Sequence, residues 1–278
     1  MMDTVETLIE AIPYIKKFSG KTFVIKIGGS MLNNRSARKS LLEDIALLKC
    51  VGIQIIIIHG GGKDISGLSE KLGVETKFVD GLRHTNDDTL GIVRMALGKL
   101  NGELVEELEG LGCKSIGTTA KSGKMVLAKR VEKLGNVGKM DSVNTKVIKD
   151  FLDDDYTPII QPIGLDENGA AVNINADELA AGIAKAMGAQ KLIFLTDVPG
   201  LLEDAKDEKT LISKITTKEL KKKLKWDEIE GGMIPKVKGV IDAVNGGVKS
   251  VHMIDGRTSH AILLEILTDN GIGTMVTE

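Results

Sequence analysis

With 278 residues and a formal net charge of −2, the chain is long enough for a substantial core and too nearly neutral to present the basic face that nucleic acid requires. Its two cysteines, Cys50 and Cys113, stand in unrelated contexts, so they make neither a disulfide framework nor a metal site and suit a reducing cytoplasm. No apolar run approaches the ~20 residues that span a bilayer, and Asp3, Glu6 and Glu10 do not fit a signal peptide.

Val5, Leu8, Ile9, Ile12 and Ile15 fall at helical spacing and predict an amphipathic helix over 1–18, which Pro13 should kink or split. Two readings stand: a helix packed on its own domain, or an arm that meets another subunit. Five β-branched runs then predict buried strands at 22–27, 53–58, 157–163, 191–196 and 250–254, each followed by a loop signal and helical periodicity. Such alternation makes βαβ units and a mainly parallel sheet, whose strands bury both faces and tolerate runs such as the four isoleucines 55–58. Residues 117–138 read instead as hairpins, an excursion near the active site. The stretch 204–209 reads as a polar loop and 217–224 as a helix with a solvated lysine face, balanced by Asp227, Glu228 and Glu230. The part up to about residue 175 and the remainder are expected to form two lobes around one sheet.

The chemistry concentrates at strand ends, where an open parallel sheet binds ligands. The run TFVIKIGGS places Lys26 near the end of the first strand and follows it with Gly28, Gly29 and Ser30, and IQIIIIHGGG repeats the arrangement with His59 and Gly60, Gly61 and Gly62. Glycines admit a ligand close to the backbone, and their N–H groups can ring an anion. A later strand ends in Thr196, Asp197, Val198, Pro199 and Gly200. VNINAD sets Asn173, Asn175 and Asp177 just before a helix, and GGMIPK brings Gly231, Gly232 and Lys236 to a glycine-led helix start. Asp177 reads equally as a functional carboxylate or a helix cap. Arg83, in DGLRHT, suits bidentate recognition of a carboxylate, and His59 is expected to bond locally rather than to bind metal. Two lysines, many backbone donors and one aspartate, with no nucleophile–base pair, suit phosphoryl transfer. A Walker A loop fails because Ile15 occupies the required glycine position, and GxGxxG fails at Ile65.

Read in order, KIGGS, HGGG, FVDGLRHT, VNINADELA, KLIFLTDVPGLL, GGMIPKV and GIGTM resemble the amino acid kinase family over nearly the whole chain. The resemblance implies a three-layer αβα sandwich, with an oligomerisation helix over 1–18, an acceptor-binding and dimerising lobe over 19–175 and a nucleotide lobe over 176–278. It implies ATP-dependent phosphorylation of the side-chain carboxylate of N-acetyl-L-glutamate, the second step of arginine biosynthesis, with Mg²⁺ held mainly by the nucleotide phosphates. Lys26 and Lys236 would neutralise the moving phosphoryl group, with Asp177 holding both. Gly28, Gly29 and Gly61 would donate N–H groups to it, and Gly61, Gly62, Arg83 and Asn173 would hold the acceptor. Thr196, Asp197, Val198, Gly200 and Leu201 would line the nucleotide. Members with an N-terminal helix further imply a hexamer, a trimer of dimers, inhibited by L-arginine bound near His252, Glu265 and Gly271. The chain departs from the family pattern at Lys63, at Thr118-Thr119-Ala120 and at Gly102, and the first two are expected near the acceptor. Two neighbouring readings predict different features. A sister kinase for a carrier-linked acceptor needs an altered NINAD and a basic surface, and a non-catalytic sensor needs the loss of a lysine or of Asp177.

Overall fold

A computed structural model describes residues 2–79, 81–204, 207–226, 229 and 233–278. The chain opens with helix α1 (Met2–Phe18), strand β1 (Thr22–Ile27), helices α2 (Gly29–Leu32) and α3 (Arg35–Cys50), strand β2 (Gln54–His59) and helix α4 (Gly62–Lys71). A small hairpin, β3 (Phe78–Val79) and β4 (Leu82–Arg83), precedes the long helix α5 (Asp87–Gly110) and strand β5 (Ser115–Thr119). Strands β6 (Val126–Arg130) and β7 (Val137–Val143), helix α6 (Thr145–Asp153), strands β8 (Thr157–Gln161), β9 (Ile163–Leu165) and β10 (Ala171–Ile174), and helix α7 (Ala176–Met187) follow. The last third carries β11 (Lys191–Thr196), β12 (Lys214–Thr216), α8 (Thr217–Lys225), α9 (Met233–Asn245), β13 (Ser250–Asp255), α10 (Ala261–Leu267) and β14 (Thr274–Thr277).

Eight strands form one sheet in the order β12-β14-β13-β11-β1-β2-β8-β5. The six from β13 to β5 run parallel, while β14 pairs antiparallel with β13 and carries β12 with it. The pleat sends alternate residues to opposite faces. Val24, Ile56 and Ile58 join one core with Leu179 of α7 and Val240 of α9. Phe23, Ile25, Ile55 and Ile57 join the other with Leu42 of α3, Leu104 of α5 and Ile262 of α10. Helices therefore cover both faces, the expected three-layer sandwich. Strands β6, β7, β9 and β10 close a small barrel beside it. No helix among the described residues is long and apolar enough to cross a membrane.

Several expectations change. Helix α1 runs through Pro13 without splitting, because proline forgoes one helical hydrogen bond while its neighbours keep theirs. Ala11, Tyr14, Ile15 and Phe18 pack on the core, with Phe18 edge-on to Phe23 at 5.4 Å, whereas Ile9 and Ile12 are 59% and 46% exposed. The side chains of Val5 and Leu8 lie outside the described residues. Residues 115–119, expected in part as hairpin, are the edge strand of the main sheet, and the hairpin proper is β6–β7. The run 157–163 breaks at Pro162, which has no N–H for the ladder, and its end turns into the barrel as β9. Helix α8 is fixed by a capping box between Thr216 and Glu219, with Lys218, Lys221, Lys222 and Lys225 exposed. The acidic residues expected to balance it, Asp227, Glu228 and Glu230, lie outside the described residues, as do Ala205 and Lys206 of the predicted loop.

Candidate active site

The carboxyl ends of β1, β2 and β11 open into a cleft of about 810 Å³. Lys26 lies in β1, in register with Ile58 of β2 and Phe194 of β11. Two helices start at this edge on glycines without a side-chain cap, α2 after Gly28 and α4 after Gly61. No side chain caps their first N–H groups, and at the ten-residue α4 the helix dipole favours an anion. Gly61 is also set by packing, since a Cβ would stand 2.6 Å from Leu97 Cδ2 of α5. Gly28, Gly61 and Gly62 line the cleft, and Gly29 is the first residue of α2.

Asp177 joins two lysines from distant parts of the chain. Its Oδ1 lies 2.7 Å from Lys26 Nζ, and its Oδ2 accepts a hydrogen bond from Lys236 Nζ at 2.7 Å. Asn175, not Asp177, caps α7, accepting the N–H groups of Asp177 and Glu178 at 2.8 and 3.1 Å. That leaves the Asp177 carboxylate for the ammoniums and removes the capping reading. Burial opposes its ionisation, but the Lys26 and Lys236 charges outweigh burial and hold it down to about 2. Burial lowers the Lys236 ammonium from its ordinary range, and Nζ sits 5.0 Å from the Phe194 ring centroid. The trio carries a net charge of +1 and aims two ammoniums at one edge of the cleft. Gly231 and Gly232, the expected glycine lead-in to Lys236, lie outside the described residues.

Arg83 and Asn173 stand at another part of the same cleft. Arg83 is 8% exposed and lies over the Phe78 ring at 4.8 Å. It donates to Thr76 Oγ1 at 3.3 Å, Gly62 O at 3.0 Å and Ser66 Oγ at 2.9 Å, which leaves two of a guanidinium's five N–H donors. Burial lowers its pKa from the ordinary value. Thr76 and Ser66 carry no sequence signal for this role; Asn175 does, as a cap before an apolar helix. His59 bonds locally, as expected. Asn101 donates to its Nε2 at 3.0 Å, so Nδ1–H donates to Gly60 O at 2.9 Å, and burial pushes its pKa down to about 4.

Of the expected nucleotide segment, Thr196 and Asp197 line the cleft. Val198, Gly200 and Leu201 do not. Leu201 is 5% exposed in the core and donates its N–H to Thr274 Oγ1 at 2.8 Å. Val198 O accepts from Thr196 Oγ1 at 2.7 Å, and Gly200, at φ +155°, lies where a Cβ would meet Thr274 Oγ1 at 2.5 Å. The three shape the turn behind the site. Lys63 lines the cleft, but Thr118, Thr119 and Ala120 stand away from it, against expectation, because β5 is an edge strand of the sheet. Gly102 has open space around it.

His252, Glu265 and Gly271 meet elsewhere, beside α1. Glu265 is buried at 8% exposure rather than on a solvated face. Its carboxylate lies 2.6 Å from His252 Nδ1 and accepts N–H groups of Ile272 and Gly273 at 2.7 and 2.9 Å, and a Cβ on Gly271 would stand 2.8 Å from it. Burial opposes ionisation of Glu265, but His252 and those N–H groups prevail and lower its pKa. Lys191 Nζ lies 2.8 Å from His252 Nε2, and burial lowers the lysine to about 8. Helix α1 closes over this region: Glu10 accepts the Asp269 N–H at 2.8 Å, and the Tyr14 hydroxyl donates to the Asp269 carboxylate.

Comparison with known proteins identifies the family. The sequence profile described as "Amino acid kinase family" matches residues 21–255. Acetylglutamate kinase of Campylobacter jejuni is 48% identical over 99% of this chain and 98% of its own length, and that of Methanocaldococcus jannaschii 45% identical over 100% and 97%. Among solved structures, N-acetylglutamate synthase from Neisseria gonorrhoeae, complexed with coenzyme A and N-acetyl-glutamate, superposes with a TM-score of 0.87 at 25% identity, covering 99% of this chain and 63% of that one. Giardia carbamate kinase, at 15% identity, shares the fold with a TM-score of 0.70 over 93% of this chain and 99% of its own. Profile, relatives matched over nearly their whole length and fold agree, and the chain belongs to the amino acid kinase family.

Proposed function

We propose that this chain transfers the γ-phosphoryl group of ATP to the side-chain carboxylate of N-acetyl-L-glutamate, giving the acyl phosphate that feeds arginine biosynthesis. The observation that carries the reading is the Lys26–Asp177–Lys236 clamp, at 2.7 Å on each side, beside the uncapped helix starts and the partly paired Arg83. A carboxylate nucleophile is already ionised at pH 7, so the reaction needs no general base. Its difficulty is the approach of one anion to another. The two ammoniums and the N–H groups after Gly28 and Gly61 offset that repulsion, most strongly where charge gathers in the transition state. Asp177 keeps the ammoniums apart and aimed. The two remaining N–H donors of Arg83 hold the acceptor α-carboxylate, with Asn173 near its acetamido group, while Thr196 and Asp197 face the nucleotide. Both Asp177 oxygens are engaged by lysine, and among the described residues no three His, Cys, Asp or Glu side chains group as a metal cage. Mg²⁺ would therefore be held by phosphates and water and would supply further charge neutralisation there. The intact clamp favours catalysis over a sensor role.

The division of labour follows the chain, with acceptor residues before about 175 and nucleotide residues after it. L-arginine is a feedback inhibitor in this reading, bound beside α1 at His252, Glu265 and Gly271, and the exposed Ile9 and Ile12 join dimers into a hexamer. The reaction belongs to the cytoplasm, which suits the exposed free Cys50. Hydroxylamine trapping tests the chemistry, because it converts an acyl phosphate to a hydroxamate. Hydroxamate should form with ATP and N-acetyl-L-glutamate together and with neither alone; its absence while ADP accumulates would mean that water accepts the phosphoryl group.

A further inference from the structure

The small barrel contains a polar relay that the reaction described above does not use. Asp166, just after β9, has a side chain only 1% exposed. Its Oδ1 accepts the N–H groups of Asn168 and Ala170 at 3.0 and 2.8 Å, closing the turn into β10, the strand that carries Asn173. Its Oδ2 accepts Nε–H and Nη2–H of Arg130 at 2.9 and 2.7 Å. On its other side, Arg130 Nη1 donates to Asn136 Oδ1 at 2.6 Å. Through its main chain Asn136 then reaches Asn173 directly and Arg83 by way of Thr85. Its backbone N–H donates to Thr85 O at 2.6 Å, and its carbonyl accepts the Asn173 N–H at 2.8 Å. Thr85 is fully buried; its hydroxyl donates to Arg83 O at 3.0 Å and accepts from Asn173 Nδ2 at 3.5 Å. The Asn136 side chain also donates to Asp87 Oδ1 at 2.8 Å, tying the relay to the start of α5.

We propose that Arg130 is a positioning residue for the acceptor, holding Arg83 and Asn173 in mutual register through Asn136 and Thr85. The role suits arginine, whose planar guanidinium faces Asp166 with one edge and Asn136 with another; a lysine ammonium has no such fork. Arg83 and Asn173 sit on strands of two and four residues; Thr76, Gly62 O and Ser66 orient the Arg83 guanidinium, and the relay meets its backbone carbonyl, so what the barrel sets is the main-chain register of the two residues. Asp166 makes that barrel a firm anchor: burial opposes its ionisation, but Arg130 and the two turn N–H groups prevail and lower its pKa.

The proposal rests on the acceptor reading of Arg83 and Asn173, and the test separates the two. Steady-state kinetics are measured for Arg130→Met, Asn136→Ala, Arg83→Lys and the Arg83→Lys/Asn136→Ala double variant, with unfolding temperatures alongside. Asn136→Ala leaves the Arg130–Asp166 pair in place, so it reads the relay even if Arg130→Met does not fold. A relay raises the KM for N-acetyl-L-glutamate on the order of tenfold in Asn136→Ala and Arg130→Met, leaves the KM for ATP within about twofold, and makes the double variant milder than the product of the singles. A folded Asn136→Ala with unchanged acceptor KM, with both KM values raised alike, or with multiplicative effects in the double variant would overturn the proposal and mark the network as barrel scaffolding. If Asn136→Ala fails in this way while Arg83→Lys still raises the acceptor KM, the acceptor reading stands and the relay alone falls. No shift in Arg83→Lys overturns both.

Discussion

Asp177→Asn removes the charge at the centre of the clamp while keeping its shape. Each carboxylate oxygen faces one ammonium at 2.7 Å, and the two charges hold its pKa down to about 2 from an ordinary value of 3.8. At 1.36 kcal/mol per pH unit, that difference corresponds to about 2 kcal/mol of folded-state stabilisation of the ionised form. The side chain is 29% exposed, so solvent screening removes only part of this. The folded value lies below the unfolded one, so the contribution is complete above about pH 4 and is lost as pH falls through about 2. The amide removes the negative charge and points one N–H₂ or one carbonyl at each ammonium. Urea unfolding of wild type and variant should show a gap of about 2 kcal/mol at pH 7, nearly the same at pH 5 and roughly half at pH 3. Equal stability at pH 7, or a gap that does not shrink at pH 3, would refute the electrostatic account of the clamp.

Lys236→Ala should stay folded and lose about 10²–10³ in kcat, the usual cost of one transition-state contact, and near-normal turnover would remove Lys236 from the mechanism. Arg83→Lys should raise the KM for N-acetyl-L-glutamate far more than that for ATP, since lysine cannot replace the fork that also contacts Gly62 O and Ser66; a selective rise for ATP would mean the two sites are exchanged. Deleting residues 1–18 would also remove Phe18, which is 3% exposed in the core, so the arm is better tested by Ile9→Asp with Ile12→Asp. That variant should remain active but run as a smaller species in light scattering and lose its response to L-arginine, whereas an unchanged assembly that still responds would assign α1 to its own domain.

The sequence was most informative where a signal is local. Strands 22–27 and 191–196 were readable to the residue, because short, mainly apolar runs closed by loop signals fit strands of a parallel sheet buried on both faces. The barrel was not, because β9 and β10 have three and four residues, and their other partners, β6 and β7, lie earlier in the chain beyond α6 and β8. Edge strand β5, SIGTT, lacks an apolar run, and nothing in residues 157–163 marks Pro162 as the point where the chain leaves the sheet except the proline itself. Lys26, Arg83 and the glycine turns were legible as candidates from their residue types, and the structure brings them to one cleft. Spacing alone left Asp177 even between helix cap and functional carboxylate, and only the family resemblance implied that it holds both lysines, since the deciding partners are Asn175 beside it and Lys236, 59 residues away. The Arg130 relay left no trace in the pattern, because each of its members is an ordinary polar residue until the barrel closes.

Coupled ADP release tests the central claim most directly, with ATP and either N-acetyl-L-glutamate, L-glutamate or L-aspartate as acceptor. The account predicts rapid acceptor-dependent release with N-acetyl-L-glutamate and little with the two free amino acids, whose α-ammonium would meet a cleft already rich in cations. Release with N-acetyl-L-glutamate no faster than without acceptor, or equally fast with L-glutamate, would contradict it.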